Sequence, residues 1–187
     1  MPLPPAADRK PLHNRRYEFC GYQRADGLWD IEGRIVDTKT YPFENKERGT
    51  VEPGQALHDM TIRLTIDDDF LVHDIVAVTD STPFTFCGGV VPNYRKVVGR
   101  RIVSGWRNLL RDLLGGTEGC THMTEMLGAM GTVAYQTLYP VRLKRQQAAD
   151  PAKRPALLDS CHSWAADSPV VRDHYPLHYR QPDPAST

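Results

Sequence analysis

Between Tyr17 and Val78 apolar and polar residues alternate with the period of a β-strand. Tyr17 to Tyr22 reads as a first strand and Asp26-Gly27 as a hairpin turn. Leu28, Trp29, Ile31, Ile35 and Val36 give the return strand, running to about Tyr41 with Gly33 as a bulge. Residues 42–53 are polar and turn-rich and predict a loop. Met60, Ile62, Leu64 and Ile66 then alternate with Thr61, Arg63 and Thr65, the pattern of a half-buried strand. Asp67-Asp68-Asp69 predicts the next turn, and Leu71, Val72, Ile75, Val76 and Val78 the partner strand. The three aspartates lack the glycine and distal glutamate of an EF-hand loop, so they predict a solvated turn rather than a calcium site.

After Pro83 the period changes. From Arg101, the residues Ile102, Val103, Trp106, Leu109, Leu110, Leu113 and Leu114 fall on one broad helical face, which Gly115-Gly116 terminates. A second helix is predicted from Cys120 to about Leu138, its Met123, Met126, Leu127, Met130, Ala134 and Leu138 recurring at threes and fours as a core stripe. Pro140 is expected to stop it. Two hairpins followed by two helices predict an α+β fold: an antiparallel sheet with two or three helices packed on one face. The predicted organisation is a disordered, Pro-rich arm over residues 1–14, an α+β domain over 15–140, and an extension over 141–187 with one short helix and a disordered tail.

Composition narrows the function classes. The chain has 187 residues, with Lys+Arg and Asp+Glu at 23 each, so its formal charge is zero and a polyanionic partner is not expected. Arg95, Lys96, Arg100 and Arg101 read as a solvated turn. No run of apolar residues is long enough to span a bilayer, and the first residues lack the layout of a signal peptide, which predicts a cytoplasmic protein without a membrane partner. Its cysteines, Cys20, Cys87, Cys120 and Cys161, form no C-x-x-C pair, which excludes a zinc ribbon or thioredoxin-type motif by spacing. The expected partner is a small-molecule substrate, with a homodimer left open.

The most chemically loaded segment is Gly119-Cys120-Thr121-His122, which opens the second helix. The first turn of a helix points unpaired N–H groups and partial positive charge outward, which favours a thiolate and a neutral imidazole. Those are the states that bind a transition metal. Glu125 follows His122 by three residues and shares its face. His58-Asp59 lies just before the second hairpin and Cys87 just after it, so these residues converge with Cys120 and His122 if the last helix begins at the same end of the sheet. Mixed sulfur and imidazole donors suit zinc or iron. Asp26, Asp30, Glu32 and Asp37 could supply carboxylates for acid–base work but are read as an exposed hairpin face, and Cys161-His162 could complete the site but is read as local packing.

Two resemblances follow from these residues. Leu57-His58-Asp59-Met60, a hairpin, Cys87 and then Cys120-Thr121-His122 resemble, in order of parts over residues 57–138, the U-type iron–sulfur cluster scaffold proteins. His58 stands where that family has its first cysteine, and the late pair is Cys-x-His rather than His-Cys. The strings Arg24-x-Asp26-Gly27-Leu28-Trp29-Asp30, Asp37-x-Lys39, Leu57-His58-Asp59-Met60, Gly105-Trp106 and Gly119-Cys120-Thr121-His122 resemble, over most of residues 15–140, a bacterial family described as a domain of unknown function. That resemblance implies a bacterial source and a setting in aromatic or acyl catabolism.

The resulting expectation is a metal-dependent lyase or hydrolase of small-molecule catabolism. His58, Cys87, Cys120 and His122 would hold zinc or iron, and Glu125 or Asp59 would move the proton. The alternatives are a non-catalytic metal or iron–sulfur cluster-binding module, and a metal-free thiol enzyme using Cys120, with His58 the better-placed base.

Overall fold

The computed structural model describes residues 3–150 and 152–181. The chain divides into two compact units, Met1–Leu138 and Tyr139–Thr187. Among the described residues the strands are β1 (His13–Gln23), β2 (Trp29–Lys39), β3 (Phe43–Asn45), β4 (Gly49–Val51), β5 (Ala56–Ile66) and β6 (Val72–Ser81). β1, β2, β5 and β6 form an antiparallel sheet in that order, and β3 pairs with β4 alone. Together with α1 (Trp106–Leu114) and α2 (Thr121–Ala149) this is an α+β fold.

The period-2 pattern decides which face is buried. β2 buries Trp29, Ile31, Gly33, Ile35 and Asp37, every second residue. Met60, Ile62, Leu64 and Ile66 do the same on β5. The intervening residues form the outer face, where Arg63 pairs with Glu32 and Arg34 forks Asp59 at 2.7–2.8 Å. Surface pairs of this kind contribute only about 0–1 kcal/mol each, so the inner face carries most of the stability.

α2 covers that inner face with Met123, Met126, Leu127, Met130 and Ala134, all fully buried. Its close approach depends on two positions that lack a side chain. A Cβ on Gly33 would lie 3.1 Å from the Met130 sulfur, and one on Gly21 would lie 2.0 Å from Thr137 Oγ1. With Met130 over Gly33 and Thr137 over Gly21, whose cross-strand partner is Ile31, the N-terminus of α2 falls at the end of the sheet that holds Asp37 and His58. α1 packs on α2 in turn: the Trp106 indole N–H donates to the Leu127 carbonyl at 3.2 Å, over Gly131. Gly21→Ala is therefore expected to destabilise the protein by about 1–3 kcal/mol, the usual cost of overpacking. Urea denaturation checks this, and Thr137→Ala in the same chain should recover part of the loss, since the two positions touch.

Several expectations need correcting. β1 begins at His13, so the arm read as residues 1–14 gives its last two residues to the sheet. The loop expected over residues 42–53 holds the β3–β4 hairpin, closed by Asn45 Oδ1 accepting from the Glu47 and Arg48 amides and anchored by the buried Val51. The pairing of β2 is regular at Gly33, and the register shifts instead between Asp37 and Thr38. α1 starts at Trp106 because Gly105 is left-handed (φ 88°), and Ile102 instead bonds the Phe70 carbonyl. α2 continues through Pro140 to Ala149. A proline sacrifices one N–H bond, and the Arg, Leu, Lys, Gln and Ala residues that follow are strong helix formers. No helix among the described residues is long and apolar enough to cross a membrane.

The second unit contains α3 (Pro169–His174), whose N-terminus Ser168 caps by accepting from the Val171 amide. Trp164 stacks obliquely near Tyr175, and Val171 and Leu158 are buried. Cys161 is exposed. Residues 182–187 of the expected tail lie outside the described residues.

Candidate active site

Strand register places Arg15, Asp37 and His58 side by side on the inner face, as direct cross-strand partners on β1, β2 and β5. Asp37 is the centre of the group, with its side chain 2% exposed. Arg15 forks it, Nε to Oδ1 and Nη2 to Oδ2, both at 2.7 Å. His13 Nε2 lies 3.1 Å from Oδ1 and His58 Nδ1 3.0 Å from Oδ2. Since an ionised carboxylate only accepts, both imidazoles must carry their proton on the nitrogen that faces it. From α2, His122 Nε2 stands 3.7 Å from Oδ2, and its ring lies 4.0 Å from that of His58, centre to centre.

Burial alone would raise the pKa of Asp37, but the Arg15 fork outweighs it, with help from His13 and His58, and holds the carboxyl at about 2. Burial pushes His58 down from its ordinary 6.5, against the pull of Asp37. Burial, then His58 and Arg15, push His122 down in the same way. The result is two neutral imidazoles beside one permanent ion pair.

His122 turns its other nitrogen outward: Nδ1 is 3.7 Å from Cys120 Sγ. Cys120 immediately precedes α2, and Tyr94 fixes it there. The buried Tyr94 hydroxyl accepts from the Cys120 amide at 3.0 Å and also contacts the Cys120 carbonyl (3.0 Å) and Thr124 Oγ1 (2.9 Å). A hydroxyl accepts twice and donates once, so the consistent assignment has Tyr94 donating to the carbonyl and accepting from Thr124. Cys120–His122–Asp37 thus form a continuous sequence of thiol, imidazole and carboxylate.

The thiol and both imidazoles line a cleft of about 610 Å³. Its walls are Met60, Pro83, Phe84, Phe86, Cys87 and Val90, and among the described residues no Asp, Glu, Lys or Arg borders it. Phe84 and Phe86 are exposed at its rim. Asp37 is not part of the lining; it sits behind the imidazoles.

The fold brings His58, Cys87, Cys120 and His122 to one cleft. It does not bring Asp59 there: it is adjacent to His58 on β5, so it projects from the opposite face and pairs with Arg34. Glu125 lies one turn along α2 from His122, accepts from the Tyr17 hydroxyl at 3.2 Å and approaches Arg15 at 3.8 Å. Among the described residues, the metal-capable donor group that converges within 4.8 Å is Asp37, His58 and His122, without either cysteine. As arranged it is a poor cation site. Each oxygen of Asp37 already faces two N–H donors, which fills its lone pairs, and His58 Nδ1 is committed as one of those donors. The adjacent guanidinium would also repel a metal ion.

Comparison with known protein families matches residues 13–136 to "Protein of unknown function (DUF2889)". The chain belongs to the DUF2889 family. No curated protein and no solved structure gives a significant match to it. The DUF2889 region begins at His13, the first residue to touch Asp37, and contains every member of the cluster, Tyr94 and both walls of the cleft.

Sequence reading of this DUF2889 chain missed Asp37, Arg15 and His13. Asp37 carried a usable signal: it falls in phase with Trp29, Ile31, Gly33 and Ile35, so the alternation that buries them buries it too. Arg15 and His13 gave none, since their role follows from the β1 register.

The two histidines also set a pH dependence. Their folded-state values lie below the ordinary 6.5, so below that pH the unfolded chain binds protons that the native state does not. Stability is expected to fall as pH drops through 6.5 toward the folded-state values. A further loss is expected as pH falls below 3.8 toward about 2, as Asp37 protonates in the native state. Urea midpoints measured across this range check both segments. A midpoint that stays flat between neutral pH and pH 5 would contradict the first.

Proposed function

We propose that this protein is a cysteine-dependent acyl-transfer enzyme, a hydrolase or transferase, acting on an uncharged apolar or aromatic acyl group. The observation that carries this reading is the Cys120–His122–Asp37 sequence, with successive contacts of 3.7 Å, at the base of a cleft without charged side chains. His122, neutral and with its own proton on Nε2, the nitrogen 3.7 Å from Asp37 Oδ2, takes the thiol proton at Nδ1. The Cys120 sulfur attacks the acyl carbonyl carbon, and a C–S bond forms. The tetrahedral intermediate collapses with loss of the leaving group, which receives the proton from His122. Water or an acceptor nucleophile, deprotonated by the same Nδ1, then cleaves the thioester and regenerates the thiol. Asp37 stabilises the transient imidazolium. The amides of Thr121, His122 and Met123, in the first turn of α2 next to Cys120, have no intrahelical acceptors and would stabilise the developing oxyanion. His58 holds the second imidazole against His122 and leaves its Nε2 toward the cleft.

This thiol chemistry is favoured over the zinc or iron lyase or hydrolase, and over the cluster-binding module, that the sequence suggested, because neither cysteine joins the converging group of Asp37, His58 and His122 and the lone pairs of Asp37 in that group are already filled. Both readings are tested with p-nitrophenyl benzoate. The expected result is a burst of about one p-nitrophenolate per chain, a benzoyl mass increment on the Cys120 peptide, and no change after dialysis against EDTA. Activity that is lost to EDTA and restored by zinc or ferrous iron, without an acylated chain, would overturn the thiol reading in favour of a metal enzyme.

A further inference from the structure

A second cleft, of about 410 Å³, lies on the other side of the same backbone segment. It shares Gly119 and Thr121 with the apolar cleft, so the two meet across the residue that carries the thiol. Leu110 and Leu114 give it an apolar side, but unlike the first cleft it also has charged borders. Arg107 and Arg111, one turn apart on α1, both border it. Neither has an ion pair or side-chain hydrogen bond within the described residues. Arg15, Arg24, Arg34 and Arg63 are paired with carboxylates and Arg48 and Arg101 are bonded to carbonyls; the exposed Arg9, Arg16 and Arg100 also lack such a partner among the described residues, but they do not line this cleft.

The floor of the cleft is backbone: Gly115, Gly116, Gly119 and Gly128 contribute no side chains. Glu118, in the connecting turn, is drawn away to Lys96 and does not line the cleft. The one lining carboxylate, Glu125, is engaged by the Tyr17 hydroxyl and lies 3.8 Å from Arg15. The cleft is therefore bordered by two arginines without a side-chain partner among the described residues and one partly neutralised carboxylate, and the positive end of α2 adds to the arginines. Guanidinium forks recognise phosphate bidentately.

We infer that this second cleft binds a phosphate group, and that the phosphate belongs to the leaving group of the substrate. This rests on the thiol reading above for its second half. The acyl part would occupy the apolar cleft and the carrier would cross Gly119–Thr121 to Arg107 and Arg111. The class of substrate is then an acyl thioester or ester of a phosphorylated alcohol or thiol carrier.

The first arm of the test is calorimetric binding of inorganic pyrophosphate at low salt. Saturable binding of one pyrophosphate per chain is expected. It should weaken at least about tenfold in Arg107→Gln/Arg111→Gln, whose side chains are exposed and whose loss leaves the fold intact, and stay unchanged in Cys120→Ala. Glu125→Gln should tighten it by removing the like charge. No binding, or binding indifferent to the two arginines, overturns the site.

The second arm compares the benzoyl thioesters of 6-mercaptohexyl phosphate and 6-mercaptohexanol. A preference in kcat/KM of about tenfold or more for the phosphorylated leaving group is expected, abolished by Arg107→Gln/Arg111→Gln. Equal rates with both, alongside pyrophosphate binding, overturn the assignment to the leaving group. Because the first arm does not involve Cys120, its failure counts against the arginine cleft, whereas absence of acylation counts against the thiol reading.

Discussion

Asp37→Asn is expected to lower both stability and turnover, and stability by more than any other single substitution at the cluster. The carboxylate accepts from Arg15 at both oxygens, from His13 at one and from His58 at the other. An asparagine keeps the shape but presents an NH2 group to two of those N–H donors, and removes the charge that balances Arg15. Removing one partner of a buried pair costs about 3–5 kcal/mol. Arg15 is about a third exposed, so water recovers part of this and about 2–4 kcal/mol is expected. For a chain of this size that corresponds to a fall in Tm of roughly 5–15 °C. Turnover of the remaining folded protein should drop by about 10²–10³, because the imidazole of His122 loses the nearby negative charge that stabilises its cation. Thermal denaturation together with kcat measured well below the lowered Tm checks the two effects separately. Arg15→Gln should reproduce the stability loss in part, since it leaves the carboxylate buried with fewer donors.

Cys120→Ser is expected to separate what Asp37→Asn combines. The half-buried thiol contributes little packing, so stability should change by less than about 1 kcal/mol. Acyl transfer should nevertheless fall by at least about 10³-fold, because a hydroxyl is a far weaker nucleophile with the same base. The decisive readout is a normal melting curve with no burst and no acylated chain. Cys87→Ser serves as the control. It alters the wall of the same cleft without touching His122, so a change mainly in KM is expected.

The sheet was legible because β2 and β5 are buried on one side only: Ile31, Ile35, Met60, Ile62 and Leu64 repeat at every second position. The stripe Met123–Met126–Met130 on α2 was legible for the same reason at its own period. What pattern could not supply was direction and register. Whether the N-terminus of α2 lies over Asp37 or at the far end of the sheet follows from where its side chains find room, at Gly33 and Gly21. Asp37 was read as exposed because acidic residues cluster in its strand. Its neighbours Asp30 and Glu32 are out of phase with it and do lie on the outer face. His13 and Arg15 sit beside a Pro-rich arm and become meaningful only through pairing with β2. Pro140 carries a strong stop signal that the helix-forming run behind it overrides. The cysteines and histidines of the site were visible as residue types. The carboxylate that organises them needed the third dimension.

The central claim is that His122 and Asp37 make Cys120 a nucleophile, and competitive alkylation tests it most directly. The protein is treated with limiting iodoacetamide near neutral pH, and the four cysteine-containing peptides are followed by mass spectrometry. Accessibility alone favours Cys161, which is exposed while Cys20, Cys87 and Cys120 are half-buried. Cys120 is expected to be modified first and stoichiometrically, ahead of Cys161 and of Cys87 in the same cleft, and His122→Gln to abolish this priority. Modification in order of exposure, with Cys120 no faster than Cys87 and indifferent to His122, would contradict it.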